Sequence, residues 1–167
     1  TSYIPTVASQ VTRAADNASM LGDNFATWYN QTQGTLVTNQ TATGFSANNM
    51  IVAITDGGTT NILQQFYNAS INLRYSVQSG GSLQAEINNA ITFGQNHKTA
   101  SAYKANDFAL VVNAGSVGTD TSGVVPVSLS QMGIGNRNGA LFFNGTIRAI
   151  SYYPTALPPA TLQSITS

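Results

Sequence analysis

Four consecutive segments decide how this chain is read: HKTASAY at His97–Tyr103, DFALVVNAGSVG at Asp107–Gly118, LSQMGIGNRNG at Leu129–Gly139, and FFNGTIRAISYYPTAL at Phe142–Leu157. Each alternates or clusters β-branched, aromatic and small apolar residues, and each is bounded by Asn, Gly, Asp or Pro, the pattern of short strands joined by tight turns. Working back towards the N-terminus, strands are predicted near Val11–Ala15, Gly34–Thr38, Met50–Thr55, Asn61–Tyr67, Ile71–Gln78 and Ser82–Ile87. The pairs and triplets AspGlyGly at 56–58, AsnAla at 68–69, GlyGly at 80–81 and AsnAsn at 88–89 are predicted turns, because these residues tolerate the positive φ that tight connections demand.

Two short stretches break the strand pattern. Asp23 or Asn24 is placed to cap a single helical turn that sets Phe25 and Trp28 on one side, with Trp28 plugging an end of the fold. At the other terminus Pro158 and Pro159 suit a helix start, with Leu162 and Ile165 as the buried edge of a short helix that closes the sheet. The fold class that follows is all-β: a two-sheet antiparallel jelly-roll sandwich with a short C-terminal helix.

Composition narrows the function classes. The 167 residues suit one domain with a sizeable core. Only 7% are charged, against roughly a quarter in an average soluble domain, and Asn, Gln, Ser, Thr and Gly take their place. Six basic residues balance six acidic ones, which leaves no basic stripe to hold nucleic acid. No apolar run reaches the roughly 20 residues that a membrane span needs. The absence of cysteine excludes disulfides, thiolate metal sites and cysteine nucleophiles. A neutral amide-rich and hydroxyl-rich surface suits two partners: sister subunits, and sugars whose hydroxyls pair with it. Five Asn-x-Ser/Thr sequons, at Asn17, Asn30, Asn39, Asn68 and Asn144, are what such a composition yields by chance.

The four late segments resemble the laminin-G-like, concanavalin A-like lectin and glucanase superfamily. Its late strands follow His-x-x-x-x-x-Tyr, Val-Asn-Gly, Ile-Gly and Phe-x-Gly-x-Ile. Here these positions are His97 and Tyr103, Val112 with Asn113 and Gly115, Ile134 with Gly135, and Phe143 with Gly145 and Ile147. Ala114 interrupts the Val-Asn-Gly element and lengthens its hairpin turn by one residue. TSYIPT at the start, VTRAADNASM at 11–20 and NFATWYNQTQGTL at 24–36 resemble the variant of this domain that recurs in tail-fibre, tailspike and head-fibre proteins of tailed bacteriophages. That resemblance implies a linker or the exit of a preceding module over residues 1–10, and the sandwich domain over 11–167. It also implies assembly in a host cytoplasm and a place on the virion surface beside other virion proteins, in keeping with the lack of cysteine.

Candidate site residues were weighed against their ordinary structural uses. Retaining glucanases of the superfamily carry paired carboxylates on one strand as Glu-x-Asp-x-x-Glu, but Glu86, the sole glutamate, has no acid two or four positions away. No catalytic residue is therefore assigned. His97, the only histidine, has no G-x-S-x-G elbow to serve and is read as structural. Laminin-G-like domains often hold Ca²⁺ at a rim, which makes Asp56 and Asp120, ahead of Asp107, the metal candidates. The ligand candidates are Asp56 with Gly57, the cluster Asn136, Arg137 and Asn138, and Tyr103 as a stacking face. Arg13 and Asp16 are read as an internal ion pair.

Two functions are consistent with this inventory. One is a non-enzymatic lectin-like module that binds a bacterial surface glycan. The other is a structural virion element, a spacer or homotrimerisation module with no ligand. A hydrolase with an unrecognised site is a distant third.

Overall fold

The computed structural model describes residues 16–44 and 48–167. The predicted strand at Val11–Ala15 and the Arg13 half of the predicted ion pair lie outside the described residues. Eleven strands and two short helices follow in chain order: β1 Ala18–Leu21, α1 Asp23–Ala26, β2 Gln33–Ala42, β3 Asn49–Thr55, β4 Ile62–Tyr67, β5 Asn72–Ser79 and β6 Ser82–Ala90. Then come β7 Asn96–Lys104, β8 Asp107–Val112, β9 Gly118–Asp120, β10 Gln131–Ile134, β11 Gly145–Tyr153 and α2 Pro159–Ile165. They form a six-stranded sheet in the order β1-β10-β3-β4-β5-β6 and a five-stranded sheet in the order β11-β2-β7-β8-β9. Neighbours pair antiparallel throughout. The chain is an all-β sandwich of two antiparallel sheets.

Strand parity explains the packing. In β5, Leu73, Tyr75 and Val77 point into the core while Arg74 and Ser76 fall on the opposite face. The same alternation along β7 sends Tyr103 inwards, and Ala100 and Ala102 outwards. Those two alanines, with Ala109 and Val111 of β8, make a shallow bed on the outer face of the five-stranded sheet, where Leu162 of α2 is fully buried. The C-terminal helix therefore covers a sheet face rather than an edge.

The core between the sheets is not purely apolar. Thr38 Oγ1 donates to Gln65 Oε1 at 2.9 Å, and Gln65 Nε2 donates to Ser101 Oγ at 2.6 Å and to the Leu36 carbonyl at 3.3 Å. Further along, Gln40 Nε2 donates to Thr99 Oγ1 at 3.0 Å and reaches the Tyr67 hydroxyl at 3.5 Å; that hydroxyl lies 2.9 Å from His97 Nδ1. This buried seam joins β4 of one sheet to β2 and β7 of the other. Burial pushes the Tyr67 phenol up to about 12, so it keeps its proton. Tyr67 either gives that proton to Nδ1 or accepts one from it, as the tautomer of the ring dictates, and Nδ1 is engaged in both cases.

At the opposite end, two tyrosines form a second polar knot. Tyr103 donates to the Asn30 carbonyl at 2.6 Å, its oxygen lies 2.7 Å from that of Tyr152, and the Asn30 amide donates to Tyr152 at 2.9 Å. Trp28 stands edge-on to both Phe25 and Tyr152 across this end, the plug its spacing predicted. Neither Asp23 nor Asn24 caps α1. The residue before the helix is Gly22 at φ 55, and its carbonyl accepts from the Phe25 and Ala26 amides at 2.9 Å.

One further expectation is corrected. Asn88 and Asn89 lie within β6, in register with Arg74 and Leu73, and the chain turns instead through residues 91–95 with Gly94 at φ 79. Ala114 sits where Gly115 N bonds to Val112 O at 2.9 Å around Asn113 and Ala114, at φ 49 and 54, and the β8–β9 register, with Leu110 opposite Gly118, is centred on Ala114, so the hairpin is longer than the two-residue form.

Two outcomes follow. A Cβ on Gly34 would stand 2.5 Å from the Tyr152 oxygen and 2.7 Å from that of Tyr103, so Gly34→Ala is expected to cost about 1–3 kcal/mol by overpacking, read from urea denaturation. An unchanged unfolding midpoint would show that the tyrosine knot yields freely. Burial holds the His97 pKa below its ordinary 6.5, so the unfolded chain takes up a proton first as pH falls. The neutral histidine's contribution is whole above about pH 6.5 and is lost as pH falls through the lower folded value. Thermal midpoints of the wild type should therefore drop more steeply on acidification than those of His97→Gln; parallel curves would contradict this.

Candidate functional site

The cluster that the sequence singled out is built by one small hairpin. Arg137 and Ala140 exchange backbone hydrogen bonds of 2.8 and 2.9 Å around Asn138 at φ 51 and Gly139 at φ 72. Both central residues are left-handed, as the mirror-image hairpin turn requires, and an Asn-Gly pair is its commonest sequence. The base of the hairpin is pinned by Asn136, which is buried; its Nδ2 donates to the Ala18 carbonyl at 2.9 Å and its Oδ1 accepts from the Gly139 amide at 3.1 Å. Leu141 packs the hairpin onto Met50, Ala53, Ile62 and Phe66 on the outer face of the six-stranded sheet.

The tip is tied to the Asp56 turn. Asn138 Nδ2 donates to the carbonyls of Gly57 and Gly58 at 3.2 and 2.9 Å, and its Oδ1 accepts from Gln131 Nε2 at 2.9 Å and Thr55 Oγ1 at 3.1 Å. Asp56, Gly57, Asn136, Arg137 and Asn138 are thus brought together at one corner of the sheet. Asp56 serves the turn itself: Oδ2 accepts from Asn61 at 2.9 Å and Oδ1 from the Gly58 amide at 2.8 Å. Those bonds, the Asn61 one foremost, hold its carboxyl below the usual range.

From this corner Arg137 reaches across the sheet, and its Nη1 donates to Gln64 Oε1 at 3.3 Å. Gln64 passes its own Nε2–H to Ser76 Oγ at 2.9 Å. One row along β4, Arg74 lies with its guanidinium carbon 5.7 Å from the Phe66 ring centre. Its Nε donates to Asn88 Oδ1 at 2.9 Å and its Nη1 pairs with Glu86 Oε2 at 3.1 Å. A cleft of about 260 Å³, lined among others by Asn17, Ser19, Gln131 and Gly133, continues this face towards β1. The arrangement sets two half-buried guanidinium groups and the exposed Asn138 over a sheet row whose Gln64 and Phe66 are themselves buried. Such groups pair with hydroxyls, and a guanidinium fork also matches a planar carboxylate.

The other candidates stand apart. Tyr103 is 2% exposed and lies in the five-stranded sheet with its hydroxyl turned inwards, so its ring is no stacking face; the correction arises because its strand position faces the core. Asp120 ends β9, and its Oδ1 accepts from the Ser122 amide and hydroxyl, both at 3.1 Å. Asp56 and Asp120 belong to different sheets and share no site, and Asp107 opens β8 opposite Lys104. Among the described residues no three His, Cys, Asp or Glu side chains gather as a metal-holding group. Glu86 is engaged by Arg74 and by Asn88 Nδ2 at 3.3 Å. Gln64, Phe66, Arg74 and Asn88 were missed by sequence reasoning. For Arg74 the signal was present, since it alternates with Leu73 and Tyr75 and must face away from them.

No protein-family model matches the chain, and no curated protein matches it. Solved structures do. The CBM40 module of Ruminococcus gnavus IT-sialidase bound to α2,3-sialyllactose has a TM-score of 0.75 at 16% identity, over 92% of this chain and 94% of that one. The NanB sialidase of Streptococcus pneumoniae, as its K499G mutant, matches over 92% of this chain and 27% of its own, with a TM-score of 0.74 and 14% identity. Mouse laminin α1 domains LG4-5 give a TM-score of 0.66 at 10% identity, over 88% of this chain and 41% of theirs. At these identities the likeness establishes the shared architecture: this chain has the concanavalin A-like fold of sialidase CBM40 modules and laminin LG domains.

Proposed function

We propose that this domain is a non-enzymatic, lectin-like module that holds an acidic surface glycan on the outer face of its six-stranded sheet. The observation that carries this reading is the Asn136–Leu141 hairpin, folded onto that face so that Arg137 meets Gln64 beside the Arg74–Phe66 pair. Few charges exist on this chain, and two of its six basic residues lie on this outer sheet face, Arg74 in an ion pair with Glu86 and Arg137 bonded to the neutral Gln64. The CBM40 neighbour was solved with sialyllactose, a sugar that carries a carboxylate, and the Arg137 guanidinium suits the same chemistry. The resemblance of residues 11–20 and 24–36 to phage fibre domains supports a place on a virion appendage, where such a module attaches the particle to a host surface or decorates it.

A structural role has one observation in its favour: Leu83 and Val124 are 55% and 53% exposed on segments joined by the Val124 amide donating to Gln84 Oε1 at 3.2 Å. Sister chains in a homotrimer would cover them. A stable trimer by sedimentation, combined with no retained glycan, would favour that role.

The test is a glycan array that includes sialylated and uronic-acid oligosaccharides, read with wild type and Arg137→Ala, with and without a calcium chelator. Loss of a charge-assisted hydrogen bond at a well-formed site predicts about 10-fold to 100-fold weaker binding for the variant. Both Asp56 oxygens are bonded within their own turn, so binding is expected to survive chelation. Equal retention by wild type and variant, or retention of neutral glycans only, would remove Arg137 and the acidic class from the account.

A further inference from the structure

We infer that the end of the sandwich where β6 passes to β7 holds a second binding site, built for a neutral, hydroxyl-rich ligand of about one sugar unit. A groove of about 440 Å³ lies there, walled by residues 89–92 and 95–97 and by Val112, Asn113 and Gly115. That volume falls within the roughly 300–1,000 Å³ of ordinary ligand clefts. It is remote from the Arg137 hairpin, because His97 and Asn113 belong to the five-stranded sheet and its β8 turn.

The floor is His97, 3% exposed, with Nδ1 tied to the Tyr67 hydroxyl at 2.9 Å. With Nδ1 engaged by Tyr67, Nε2 has no hydrogen-bond partner among the described residues. A buried ring, held in one orientation and lining a groove with a spare nitrogen, is preorganised for a hydroxyl, which can both donate and accept, entering from solvent. The side-chain amides of Asn89 and Gln95 likewise make no hydrogen bond among the described residues, so donors and acceptors stand ready at the rim.

Other wall residues are held rigid. Asn113 Oδ1 accepts from the Lys98 amide at 2.8 Å, and Asn96 Oδ1 accepts from Arg148 Nη1 at 2.6 Å. Ala114, at φ 54 where an L side chain is strained, is fixed by its amide donating to Thr166 Oγ1 at 3.0 Å at the end of α2. Ala90, Ile91 and Val112 supply apolar patches for sugar C–H groups. No charged side chain lines the groove, which disfavours an anion, and a single imidazole without carboxylates is no metal site. The class that remains is a neutral polyhydroxylated unit.

The experiment is a titration of the ¹⁵N-labelled chain with methyl glycosides of glucose, galactose and N-acetylglucosamine, followed by NMR. Saturable shifts are expected at the Asn89 and Gln95 side-chain amides and at the His97 imidazole nitrogens for at least one probe. Gln95→Ala, a change on an exposed turn, should weaken that response about five-fold, the loss of one hydrogen bond of about 1 kcal/mol. Shifts confined to the Arg137 and Gln64 face, no shift at the groove signals, or an unaltered affinity in Gln95→Ala would overturn the assignment. The first of these leaves the outer-face reading intact, so the two sites stand or fall separately.

Discussion

The hydrogen-bonded seam through the middle of the sandwich is the constraint on which the rest of this molecule depends. Thr38, Gln40, Gln65, Tyr67, His97, Thr99 and Ser101 all face the interior, where an unpaired amide or hydroxyl costs about 1–3 kcal/mol. Pairing them across the two sheets removes most of that penalty only in one registry. A slip of one residue in β4 would exchange Gln65 and Tyr67 for Gln64 and Phe66, turning an aromatic ring without a hydroxyl towards His97. Apolar packing tolerates small shifts; directional bonds do not. The seam is not complete, since Gln40 Oε1 finds no partner among the described residues, so specificity here coexists with some cost in stability.

Because that registry is fixed, the outward side of β4 is fixed too. Gln64 and Phe66 face away from the core, flanked by Ala53 on β3 and by Ser76 and Arg74 on β5. The two outer faces then diverge. Small residues on β7 and β8 accept α2, and the five-stranded sheet is covered. Among the described residues the six-stranded sheet carries the Asn136–Leu141 hairpin, whose Leu141 anchors on apolar residues and whose Arg137 extends towards Gln64. A surface nearly empty of charge therefore gains the Arg137 guanidinium beside the Arg74–Glu86 ion pair through topology.

Much of the fold was legible because alternation is a strong signal wherever one face is apolar. β5, with Leu73, Tyr75 and Val77 on one side, and β7, ending in Tyr103, were plain in the sequence. β9 was not, because Gly118–Asp120 has no apolar face at all and is held only by pairing with β8. Asn88 and Asn89 read as a turn from residue type, yet cross-strand bonds from Arg74 and Asn68 to Asn88 Oδ1 keep that stretch extended. The site was half visible. Gly57, Asn136, Arg137 and Asn138 announced themselves as turn residues with a stray cation. Gln64 stayed hidden because its neighbour is also Gln, so the strand's two faces could not be told apart by composition, and Tyr103 misled because an aromatic residue's burial depends on parity rather than type.

The most direct measurement is a crystal structure of the domain with an acidic oligosaccharide that it retains. The account predicts the sugar against the Asn136–Leu141 hairpin on the outer face of the six-stranded sheet, with its carboxylate within hydrogen-bond reach of Arg137. An acidic sugar found only against the α2-covered face, only at a strand edge, or only in the His97 groove would contradict it.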